Sequence, residues 1–62
     1  MAVETNRKEI VSRLEREGWV LQHGGEHDKY RHPQRKGLIV VPRHRTISKG
    51  VARNIAKRAG WL

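Results

Sequence analysis

The apolar residues of this chain follow two spacings, and the changes between them predict its elements. Ile10, Val11 and Leu14 fall within an arc of about 100° on one side of a helix. Asn6 followed by Glu9 reads as a capping-box-like start, with Asn in place of Ser or Thr. Gly18 is a natural stop after Glu17, so a first helix is expected over roughly residues 7–17. The pattern then shortens. Trp19-Val20-Leu21-Gln22 is rich in strand formers, and His23-Gly24-Gly25-Glu26 reads as a turn. Residues 27–32 form the next strand, stopped by Pro33, and Gln34-Arg35-Lys36-Gly37 a second turn. Leu38 to Val41 is a third strand ended by Pro42, and Arg43 to Ile47 a loop. Ser48 can cap a last helix over about residues 49–59, ended by Gly60. Its apolar arc is Val51, Ala52, Ile55, Ala56 and Ala59, while Lys49, Arg53 and Lys57 lie on another side.

The expected fold is therefore α+β in the order α-β-β-β-α. Short turns between the strands demand an antiparallel meander. Two amphipathic helices and three strands bury a core only if both helices cover the same sheet face. Tyr30, the aromatic of the middle strand, should point toward the helices. His27, Lys29 and Arg31, of opposite parity, should point to the open face.

Length keeps that core small. Sixty-two residues make one domain, expected to span residues 1–62, and such a chain buries only about 60% of its unfolded surface. There is no cysteine, so neither disulfides nor thiolate ligands staple it. The longest aliphatic run, Leu38-Ile39-Val40-Val41, is far too short to span a bilayer. Met1-Ala2-Val3-Glu4-Thr5 lacks the basic-then-apolar layout of a signal peptide. These features point to a cytoplasmic protein with no membrane span.

Charge adds a function class. Fourteen Lys and Arg face six Asp and Glu, a formal net charge of +8. All six acids lie in the first 28 residues, and the ten basic residues from Lys29 onward meet no acid. Such segregation is the electrostatic footprint of a nucleic-acid binder. The segment Gly25-Glu26-His27-Asp28-Lys29-Tyr30-Arg31 adds a titratable imidazole to two fixed cations on one face, a set suited to a phosphodiester. Arg43, Arg45 and Lys49 are further candidate phosphate contacts. His44, between Arg43 and Arg45, suits phosphate contact or simple exposure equally. His32, sharing the inward parity of Tyr30, suits a strand-end hydrogen bond, and His23 a solvated turn. His23, His27, Asp28 and His32 are of zinc-ligand type, but residues 27 and 28 face opposite ways on a strand, so no metal site is expected. Trp19 belongs at the core edge where the first helix meets the sheet, and Trp61 is expected to fold back on the core.

The order of a helix, Gly18-Trp19, Gly25-x-His27-x-x-Tyr30-x-His32-Pro33, a Val-Val-Pro strand end at 40–42, and Lys49-Gly50 opening a helix that ends Ala59-Gly60 resembles the HicA toxins. These are small mRNA interferases whose fold is similar to a double-stranded-RNA-binding domain. The resemblance runs from about residue 6 to 61. It implies that His27 is the catalytic residue of a metal-independent endoribonuclease acting on mRNA. It also implies a HicB-type antitoxin as the neutralising partner. Lys29 and Arg31, with Arg43, Arg45 and Lys49, would then bind RNA, and no cofactor is implied. Two departures stand out. Glu26 and Asp28 flank His27, where two acids would favour the charged imidazole and repel RNA locally. Ser48 stands where the family often has a proline, and a Ser N-cap does a similar local job. The other function class open at this point is a non-catalytic RNA- or DNA-binding module using the same basic sheet face.

Overall fold

A computed structural model describes residues 3–22 and 25–62. The solvated turn histidine expected at His23 lies outside them. The elements follow the expected order: α1 (Arg7–Arg16), β1 (Val20–Gln22), β2 (Asp28–Arg31), β3 (Leu38–Val41) and α2 (Lys49–Ala59). The strands pair as an antiparallel meander in the order β1-β2-β3. Tyr30, Ile39 and Val41 from the sheet join Ile10 and Leu14 of α1 and Ala52, Ile55 and Ala59 of α2 in one buried cluster. Both helices therefore cover the same sheet face, and the fold is the α+β arrangement the pattern predicts. Among the described residues, no helix is long and apolar enough to cross a membrane.

Both helices end in the same way. Gly18 and Gly60 stand at φ 96 and 83, the left-handed region that glycine enters without a Cβ penalty. Trp19 N–H donates to the Leu14 carbonyl at 3.0 Å, and Gly18 N–H to Glu15 at 3.2 Å. Trp61 N–H donates to Ala56 at 2.7 Å, and Gly60 N–H to Lys57 at 3.2 Å. Each is a Schellman motif, and in each the residue after glycine is a tryptophan that packs back on the core. At the starts, the Asn6 side chain accepts from Glu9 N–H and the Ser48 side chain from Val51 N–H. The capping box at Asn6 closes differently from the expected one. The Asn6 N–H is satisfied by Glu4 Oε1 at 2.9 Å, not by Glu9.

The expected loop over residues 43–47 is more ordered than its composition suggests. Asn6 and Thr46 form an antiparallel bridge, Arg7 N–H donates to Arg45 at 3.1 Å, and Ile47 N–H to Thr5 at 2.8 Å. This pairing ties the lead-in to α1 onto the lead-in to α2 and sinks Ile47 into the core. A lone apolar residue in a basic stretch carries no periodicity, so pattern reading passes over it.

His32 takes the strand-end role expected of it. Its Nδ1 accepts from Gln34 N–H at 3.0 Å, so Nε2 carries the hydrogen and donates to the Glu17 carbonyl at 2.9 Å. Its ring meets Trp19 edge-on, with centroids 5.2 Å apart. The imidazole thus clamps the end of α1 to the end of β2. Replacing His32 with Ala leaves two backbone groups without this partner and should destabilise the domain by about 1 kcal/mol. A lowered urea midpoint at unchanged m-value would register that loss.

Candidate functional site

The face of the sheet turned from the helices is set by pairing. Val20, Arg31 and Leu38 stand opposite one another across the three strands, and Gln22, Lys29 and Val40 form the next row. All six are exposed, while Tyr30 between the two cations is buried. The open face is therefore a grid with cations along the middle strand and aliphatic side chains on its flanks. Trp19 and Tyr30 are in the core, so no exposed aromatic offers a stacking platform on the described part of this face. Burial raises the Tyr30 phenol above its ordinary value, and Glu15 and Asp28 add to that. It stays a neutral hydroxyl at physiological pH.

The strand expected over 27–32 opens at His27, but β2 starts one residue later at Asp28, so His27 sits in the bend just before it and is exposed. No hydrogen bond or ion pair engages its side chain among the described residues. Gly25, at φ 88, makes the turn that delivers it. Lys29 leans back over this turn, with its Nζ 3.9 Å from where a Cβ on Gly25 would stand. The chain thus brings an imidazole free for proton transfer and an ammonium to one end of β2. Arg31 projects from the other end of that strand.

The two acids beside His27 differ in fate. Asp28 has the inward parity of Tyr30 and is ion-paired to both Arg7 and Arg43, with Arg43 Nε at 3.0 Å from Oδ1. Its charge is taken up by two guanidinium groups instead of facing a substrate. Glu26 is exposed in the turn. The repulsion expected from a flanking pair of acids thus reduces to Glu26 alone.

The expected phosphate contacts separate into places. Arg43 and Arg45 line an open hollow of about 570 Å³ together with Arg7 and Lys8. Arg43 is partly committed to Asp28 there. Arg31 lines a second hollow at the other end of β2, with Arg35 and Lys36. Lys49 is exposed at the start of α2 and lines neither. Arg7, Lys8, Arg35 and Lys36 were not singled out by sequence reasoning. The signal for the last pair was legible, since a basic turn directly follows the strand that carries Arg31. Among the described residues, no group of three or more His, Asp or Glu side chains is placed to hold a metal ion.

Trp61 closes the molecule on the helix side. Its Nε1–H donates to Glu17 Oε1 at 2.8 Å, and the Arg13 guanidinium stands 4.3 Å from its ring centroid. The Trp61 hydrogen bond, helped by Arg13, holds the Glu17 carboxyl below its ordinary value, although partial burial pushes the other way. The penultimate residue of the chain is therefore spent on tying α2 to the end of α1.

No curated protein matches the chain. A protein-family model does. The stretch that carries the site, from the Arg7 that holds Asp28 to the Trp61 that locks the helices together, is the stretch matched by the model of the HicA toxin of bacterial toxin–antitoxin systems, residues 7–61. The chain belongs to the HicA toxins, and its role is that of the toxin in a toxin–antitoxin pair.

Proposed function

We propose that this toxin is a metal-independent endoribonuclease that cleaves mRNA in the cytoplasm by proton transfer at His27, and that a HicB-type antitoxin neutralises it. The observation that carries the reading is the exposed, unpaired imidazole at the head of a strand whose next two outward residues are Lys29 and Arg31.

The chemistry follows from those groups. The ribose 2′-oxygen attacks the adjacent phosphorus, and the bond from phosphorus to the 5′-oxygen breaks. In one assignment His27 takes the 2′-hydroxyl proton as base and water supplies the proton to the leaving 5′-oxygen. In the other, imidazolium His27 protonates the leaving oxygen and water accepts the first proton. One histidine does not perform both transfers in the same step. Lys29, and Arg31 for a phosphate further along, neutralise the non-bridging oxygens as negative charge builds. Tyr30 is excluded as the second proton carrier by its burial. The products are a 2′,3′-cyclic phosphate and a 5′-hydroxyl.

The test is cleavage of a defined RNA by the purified toxin in excess EDTA. Cleavage should persist, with the two ends just named. Activity that disappears with EDTA and returns with Mg²⁺ or Mn²⁺ would overturn the mechanism. Tight binding with the RNA left intact would favour the non-catalytic binding module, for which the basic surfaces alone suffice.

A further inference from the structure

The hollow at the far end of β2 from His27 is lined by Gln22, Arg31, Arg35, Lys36, Gly37 and Leu38 and measures about 440 Å³. Arg58 of α2 joins its rim, with Nη1 3.9 Å from where a Cβ on Gly37 would stand. The Arg35 guanidinium lies against the helix end at Gly60. Its nitrogens come within 2.9 Å and 3.1 Å of where a Cβ on Gly60 would stand. Four cations thus gather round the β2–β3 turn, and among the described residues none of them forms an ion pair. Glu17 feels the charge of Arg35, but it is already bonded to Trp61 and Arg13.

We propose that this hollow is a second phosphate subsite, which grips the RNA backbone away from the scissile bond and makes the toxin selective for extended single strands over short ones. The proposal rests on the ribonuclease reading above. Its geometry comes from β2, whose residues rise about 3.3 Å each, so that Arg31 stands about 10 Å along the strand from Asp28, the neighbour of His27. A phosphate at the hollow is then not the one being cleaved. Guanidinium groups match phosphate oxygens in bidentate fashion, and clustered unpaired cations favour a polyanion over a protein surface. The ligand chemistry is the phosphate–sugar backbone and not stacked bases, because no exposed aromatic on the described sheet face can stack a base. The exposed Val20 and Leu38 flank Arg31 on the neighbouring strands and supply apolar ground for a ribose there.

The experiment compares Lys36→Ala, and separately Arg35→Gln, with wild type on a dinucleotide and on an oligonucleotide of about eight residues. Lys36 is exposed and bonded to nothing among the described residues, so its removal does not threaten the fold. The ratio of kcat/KM for the long substrate to that for the short one should fall several-fold in each variant. In a His27→Ala background, the dependence of log affinity on log salt for the long strand should flatten by about 0.7 per cation removed. An unchanged ratio and an unchanged slope would overturn the subsite. So would a variant that loses antitoxin binding but keeps both RNA readouts, because the hollow would then be a protein contact. If wild type cleaves neither substrate but the slope still flattens, the subsite stands and the ribonuclease reading fails.

Discussion

Replacing His27 with Ala should lower RNA cleavage by about 10²–10⁴-fold, the range over which a positioned acid–base group acts. The loss should fall on kcat, with RNA affinity close to wild type, because the positive charge proposed to bind the backbone is carried by Lys29, Arg31 and the two basic hollows. The fold should be untouched. His27 is exposed, lies outside β2 and packs against none of the core residues, and surface changes of that kind usually stay within about 0.5 kcal/mol. The substitution therefore separates chemistry from binding and from stability in one variant. Single-turnover cleavage, filter binding and urea unfolding on the same preparation measure the three. A His27→Ala protein that cleaves RNA and arrests growth at wild-type levels would remove His27 from the mechanism. His32→Ala is the natural contrast, since it should lose stability through its clamp on Glu17 and Gln34.

Much of this arrangement was legible in the chain, and the reasons are local. Gly18 and Gly60 announce their helix ends because only glycine enters the left-handed region there cheaply. Tyr30 sets the register of β2 because an alternating strand with one aromatic between two cations has a single reasonable way round. Once Tyr30 is inward, Lys29 and Arg31 are outward, and the open face follows. What pattern reading missed depends on pairing at long range. Ile47 is one apolar residue among charged neighbours, and only its hydrogen bond to Thr5 explains its burial. Asp28 reads in sequence as a neighbour that repels RNA. In the fold it faces away from that role because Arg7, 21 residues earlier, and Arg43, 15 residues later, converge on it. Arg35 comes to lie beside Gly60, a relation between the second turn and the end of the last helix that no spacing rule contains.

Neutralisation by the antitoxin should come from direct covering of the open sheet face by an acidic surface. A toxin of formal charge +8 with an unshielded imidazole needs a mask in the cell that makes it. The face has the composition of an interface core and rim combined. Val20, Leu38 and Val40 offer apolar area, and Lys29 and Arg31 offer charge between them. Carboxylates set against those two cations would occupy the places of RNA phosphates, so inhibitor and substrate would exclude one another. Opposite charge would also speed encounter, in proportion to how little salt is present. The expected result is a complex that forms in preference to RNA, with amide protection concentrated on residues 27–31 and on the outward positions of β1 and β3. Charge reversal at Lys29 or Arg31 should slow association and flatten its dependence on salt. Hydrogen exchange or chemical-shift mapping of the purified complex reads the footprint directly. Protection confined to the helix side, around Trp61 and α2, with RNA still able to bind, would defeat the masking model and require inhibition at a distance.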